Sequence, residues 1–255
     1  MNYTQEELEE AKAYLRDRLR NQRSMTDDIV AVLELYAAHL LRALFRKASD
    51  EDIQLLINDL IEQLLNDCQT LAVDKHDKKD AILLYMNSER HGDNLEGRIR
   101  KRAETFFNEV FAVYVAGTLL GRGQDALLKG IKESLKQPWE NEVLKEAREK
   151  KASGEISSEY DFEEPHLGRG NATSSLLALE RLLEYAVADA WTYWQWMDKK
   201  EKGARGYYVL RGSSYACEIC DSHTGIFFDV NDKDSLPPYH ANCVCYVVYS
   251  NVERL

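Results

Sequence analysis

No stretch of this chain approaches 18 consecutive apolar residues, so neither a transmembrane helix nor a membrane partner is expected. The opening residues, Met1 to Glu10, are acidic and lack an apolar h-region, which argues against a secretory signal. The expectation is synthesis in a reducing cytosol, where clustered cysteines favour metal over disulfide. Internal repeats and low-complexity tracts are missing too. Hydrophobic residues nevertheless reach 44%, too many for a disordered chain. The 255 residues suffice for one large domain or two small ones.

Catalytic signatures are equally scarce. None of the six histidines is followed by x-Glu, the pattern zinc deaminases need for proton transfer, and no H-E-x-x-H occurs. Gly121-Arg-Gly123-Gln-Asp-Ala126 fits G-x-G-x-x-A in letters only. It comes after a long helical pattern where a dinucleotide site requires a strand, so it reads as a helix–helix turn. Without a Walker A sequence, an ATP-driven motor is excluded. A non-enzymatic protein is expected.

Charge of one sign is in short supply. Against 44 acidic residues stand 33 basic ones, a net charge of -11 that opposes broad nucleic-acid binding. The one dense basic cluster is Arg98, Arg100, Lys101 and Arg102, with Arg98 and Arg102 one helical turn apart. These four are the candidate nucleic-acid contact, expected to be weak and salt-sensitive. The competing reading is a solvated face paired with Glu96 and Glu104.

Periodicity predicts a mostly α protein. Thr4-x-x-Glu7 is a capping box, and Leu8, Ala11, Leu15 and Leu19 succeed it at helical spacing. A second helix is expected from near Thr26, a third from about Ser49, and a fourth over Asp77 to Arg90. Together residues 1–91 read as an N-terminal helical bundle. Residues 92–203 read as central long helices: one opened by Asp93-x-x-Glu96, one over Gln124 to Lys136, and one led by Pro138. After a flexible loop near 152–171, the longest runs from about Ala172 to Lys202. Trp191, Tyr193, Trp194 and Trp196 crowd that last helix as a packing platform for the C-terminal residues, with a protein interface as the alternative. Beyond Gly203 the texture turns to β: Tyr207–Leu210, Gly225–Phe228 and Val244–Tyr249 predict a small antiparallel module over 204–255.

Four of the five cysteines fall in that module. Cys217 and Cys220 form C-x2-C, and 19 residues later come His240, Cys243 and Cys245 as H-x2-C-x-C. Two separated pairs can close a tetrahedron around a structural zinc ion and staple the three short strands. Five candidates for four places leave one spare. If Cys243 and Cys245 alternate on a strand they face opposite ways, which favours His240 as ligand unless the strand begins after them. One or two disulfides are the alternative. His223 is expected to be a turn residue, and Cys68 a small buried hydrophobe.

The same tail carries a resemblance. Tyr215-Ala-Cys217-Glu-Ile-Cys220-Asp-Ser-His223-Thr-Gly225-Ile-Phe-Phe228, and then Pro237-Pro238-Tyr239-His240-Ala-Asn242-Cys243-Val-Cys245, resembles the C-terminal signature of phage Mu F-like minor head proteins. It departs at Val244, where the family commonly carries Arg, and at Ala241, where Pro is common. The resemblance implies a low-copy head morphogenesis protein of a tailed phage or prophage, made in the host cytoplasm. It would reside in the virion near the portal, with the portal and other head proteins as partners, and act in capsid assembly and DNA delivery. The alternatives are a toxin or effector carrying such a domain for delivery and a zinc-module adaptor unrelated to phage.

Overall fold

The computed structural model describes residues 3–89, 92–162 and 174–251. The chain is mostly α, and among the described residues there are eight α-helices and a small three-stranded antiparallel sheet near the C-terminus. Among the described residues no helix is long and apolar enough to cross a membrane. The helices are α1 (Gln5–Phe45), α2 (Asp50–Val73), α3 (Lys79–Met86), α4 (Leu95–Leu119), α5 (Gln124–Ser134), α6 (Glu142–Ala152), α7 (Ser175–Glu201) and the short α8 (Glu218–Asp221). The strands are β1 (Gly206–Leu210), β2 (Phe227–Asp229) and β3 (Tyr246–Ser250).

Local chemistry explains most boundaries. The Thr4 N–H donates to Glu7 Oε2 at 2.6 Å and the Glu7 N–H to Thr4 Oγ1 at 3.1 Å, closing the capping box that starts α1. Ser49 and Asp52 do the same for α2. The break expected near Thr26 does not occur, and α1 runs through it. The Thr26 hydroxyl donates to the Gln22 carbonyl and to Glu184 Oε1 at 3.0 Å instead of capping a new helix. At the start of α7, Ser174 Oγ accepts from the Leu177 N–H, while Glu109 accepts from both the N–H and hydroxyl of Ser175. Its other end stops at Gly203, whose φ of 87° suits only glycine, with the Ala204 N–H reaching back to the Lys199 carbonyl.

Two compact units interleave along the sequence: Met1–Thr26, Asn66–Leu95 and Arg181–Leu255 form one, Asp27–Leu65 and Glu96–Glu180 the other. Helices α1, α2 and α7 contribute residues to both. The second unit buries Leu33, Leu40, Leu60, Leu64, Ile99 and Phe106. It also holds the first part of the loop expected near 152–171, which is anchored: Phe162 is buried and the Lys151 ammonium donates to the Tyr160 carbonyl. Residues 163–173 lie outside the described residues.

The first unit contains the sheet, in the order β2-β1-β3 with all pairs antiparallel. Tyr207 and Val209 on β1, with Val247 and Tyr249 on β3, share one face, as period-two alternation requires. Tyr208 and Val248 on the opposite face are also fully buried. The last strand, expected from Val244, starts instead at Tyr246, so both cysteines of the C-x-C lie in the preceding turn.

In this unit the aromatics of α7 split between neighbours. Trp196 packs on the β module, its indole N–H donating to the Val230 carbonyl at 2.7 Å. Trp191 donates to the Leu71 carbonyl, Trp194 to Asp77, and the Tyr193 ring stacks on Tyr85 at 3.7 Å. At 100° per residue these four positions point in different directions, so they form no single platform. Trp194 and Trp191 enclose His76, whose ring stacks on Trp194 at 4.1 Å and whose two nitrogens find no partner among the described residues.

His76 supplies a pH prediction. Burial pulls its pKa from 6.5 to about 4, since a charged ring there would be cut off from water. With the folded value below the unfolded one, the contribution of the neutral ring is intact above about pH 6.5 and is lost as pH falls toward 4. Urea unfolding across that window should therefore show stability falling by roughly 2–3 kcal/mol from this site. His76→Phe should flatten that slope, and an unchanged slope would refute the assignment.

Candidate metal centre

Two loops build the centre. The first is a knuckle: Cys217 precedes α8, the Asp221 N–H donates to the Cys217 carbonyl at 2.8 Å, and Cys220 sits in the single turn between them. Arg211 pairs with the Asp221 carboxylate, whose other oxygen accepts from the Cys217 N–H. This bracing aims both thiols the same way. The second loop comes after a cis Pro237-Pro238 bond and turns at Asn242, a left-handed residue with φ of 64°. The Cys243 N–H closes the turn on the His240 carbonyl at 3.1 Å.

His240 is oriented by its own backbone neighbour. Its Nδ1 lies 2.7 Å from the Ala241 carbonyl oxygen, and a carbonyl can only accept, so Nδ1 carries the proton. That leaves the Nε2 lone pair facing the thiols, 3.3 Å from Cys217 Sγ and 3.1 Å from Cys220 Sγ. Cys220 Sγ is in turn 3.8 Å from Cys243 Sγ. Ligand atoms of Cys217, Cys220 and His240, and of Cys220, Cys243 and Cys245, fall in two groups each spanning at most 4.8 Å. They share Cys220. For comparison, a tetrahedral ion with metal–sulfur bonds of about 2.3 Å places its sulfurs about 3.8 Å apart and sulfur and nitrogen about 3.6 Å apart. These Cys/His groups can hold a metal ion, and none of the described cysteines is in a disulfide.

The thiols are electrostatically unequal. Cys243 is held at about 5, chiefly because the Cys245 thiol donates to it, and Cys245 is pushed far up by the same contact. Burial pushes Cys220 up to about 12. The Cys220 backbone N–H draws Cys217 below its ordinary value. Burial opposes charging His240, but the Ala241 carbonyl and nearby sulfurs outweigh it and leave its pKa raised.

The remaining sequence candidates fall elsewhere. His223 stacks on Tyr239 at 4.2 Å with Nδ1 2.9 Å from the Ile219 carbonyl, bracing the two loops from outside the cysteine groups. Cys68 is fully buried and its thiol faces the Leu183 carbonyl. On α4, Arg100 is engaged by Glu96 at 3.0 Å and Asn58 at 2.8 Å. Arg98 is half-buried, while Lys101 and Arg102 are exposed. Sequence reasoning passed over Arg18, which is 2% exposed and donates to the Cys245 carbonyl at 3.2 Å. The signal was present: Ala11, Arg18 and Met25 recur every seven residues on the buried stripe of α1, and a charge in such a stripe needs a reason.

No family model, curated protein or solved structure matches the chain.

The geometry predicts unequal effects of serine at four of the five cysteines. Cys217→Ser, Cys220→Ser or Cys243→Ser should lower bound metal at least tenfold and loosen the β module, seen as lost amide protection in β1–β3. Cys68→Ser should leave metal content intact at a stability cost of about 1–2 kcal/mol for the buried hydroxyl. Full metal retention by both Cys220→Ser and Cys243→Ser would rule the centre out.

Proposed function

We propose that the chain is a structural, non-enzymatic minor head protein of a tailed phage or prophage, with its C-terminal module held by one structural zinc ion. The observation carrying this reading is convergence. The cysteine pair and the PP-x-H-x-N-C-x-C block, which bear the resemblance to Mu F-like proteins, meet at 3.1–3.8 Å in one module. Zinc is the ion of choice for thiolates with imidazole in a tetrahedron, since it imposes no geometry of its own and undergoes no redox change. A site filled by four protein ligands leaves no position for a reacting water, which favours a structural role over a catalytic one.

The partner is the portal, together with other head proteins, and the location is the virion, in the head interior or portal region. Docking is assigned to helical surfaces. Leu35 and Leu55 in one unit, and Leu84 in the other, stand 53%, 60% and 77% exposed on helices, where an apolar side chain gains from being covered.

Elemental analysis of protein purified in reducing buffer should find about one zinc per chain. Co-expression with the portal protein of the same genome, and then size-exclusion chromatography, should show the two migrating together. Independent migration, with none of the chain in purified virions, would remove the minor-head assignment. A fully folded protein without zinc would remove the metal.

A further inference from the structure

Arg18 has no counter-charge in its surroundings. Among the described residues no other lysine or arginine is buried. Its Nη2 donates to the Cys245 carbonyl at 3.2 Å and its Nη1 to Thr192 Oγ1 at 3.4 Å, while Nε has no partner. Both acceptors are neutral, and no carboxylate pairs with it among the described residues. A guanidinium stays protonated, and burying one beside neutral dipoles alone is strongly unfavourable. Burial works against its charge, and only negative charge on the Cys243 sulfur, and less so on Tyr14 or the Cys245 sulfur, would offset that.

We propose that Arg18 is the built-in counter-cation of an anionic metal–thiolate centre formed by Cys217, Cys220, Cys243 and His240. The inference rests on the metal centre proposed above and extends it to the charge of the ligand set. Three thiolates and a neutral imidazole leave a divalent ion with one net negative charge, which a single buried guanidinium cancels. Four thiolates would leave two, half of it uncompensated. Arg18 therefore selects His240 over Cys245 as the fourth ligand, in agreement with the Nε2 lone pair aimed at Cys217 and Cys220. Cys245 is left out of the ligand set, and its carbonyl tethers the guanidinium. Arg18 touches no metal; it is a positioning residue that couples α1 to the Cys243–Cys245 turn. Outer-sphere partners of this kind set how tightly a site holds its ion.

The test uses the full chain loaded with zinc. X-ray absorption on the unaltered protein should count three sulfur ligands and one nitrogen. Transfer of zinc to a chromophoric chelator should be on the order of tenfold faster or more in Arg18→Met, and close to the unaltered rate in Arg18→Lys, which keeps the charge. Four sulfur ligands would overturn the proposal, as would a folded Arg18→Met that releases zinc at the unaltered rate. Should Arg18→Met fail to fold, the sulfur count decides alone. An unaltered protein that binds no zinc removes the metal centre itself, whereas one that binds zinc through three sulfurs indifferently to Arg18 removes this inference only.

Discussion

The C-terminal module depends on a meeting of two loops that the backbone alone would not hold together. Strand β2 pairs over three residues and β3 over five, and strands this short are marginal without further support. Their shared core is completed by Cys220, Cys243 and Cys245, packed with Tyr207, Val209, Val247 and Tyr249. The same side chains are thus candidate ligands and core. Binding and packing cannot be separated here, because a change that displaces a sulfur also opens a void beneath the sheet.

A second constraint is electrostatic. Several polar atoms in this unit lie buried without partners among the described residues: Arg18 Nε, both nitrogens of His76, and the Tyr249 hydroxyl. Tyr14 links them. Its ring stacks toward His76 and Trp194, its hydroxyl donates to the Trp191 carbonyl at 2.7 Å, and it interacts electrostatically with Arg18 and Tyr249. Natural cores rarely leave so many groups unsatisfied side by side. The anionic centre proposed above would give a reason for the guanidinium, but it leaves the histidine as a source of acid sensitivity.

The features legible in the sequence were those encoded locally. The Thr4–Glu7 capping box, the helix stop at Gly203 and the five Cys/His candidates all rest on spacings of a few residues. Thr26 misled because its composition suits an N-cap, whereas its hydroxyl is taken by Gln22 and Glu184. Choosing among five candidate ligands was beyond the spacing alone. It depends on where β3 begins, on the left-handed Asn242, and on the proton position that the Ala241 carbonyl imposes on His240. Arg18 could be flagged as odd but not explained, since the atoms that give it meaning lie 227 residues away.

Helix α7 shows how such distant relations are imposed. Successive side chains of its C-terminal half serve different neighbours in the same unit: Trp191 reaches the Leu71 carbonyl, Thr192 the Arg18 guanidinium, Trp194 Asp77, Trp196 the Val230 carbonyl, and Lys199 Glu10. One rigid helix therefore fixes α1, the end of α2 and the β module at once. Thr192 and Trp196 lie one turn apart, so the residue holding Arg18 and the residue holding the sheet share a helical face. The position of the guanidinium relative to the Cys243–Cys245 turn is consequently set twice, by its bond to the Cys245 carbonyl and by α7 itself. That redundancy is what a buried charge needs to stay aligned with its acceptors.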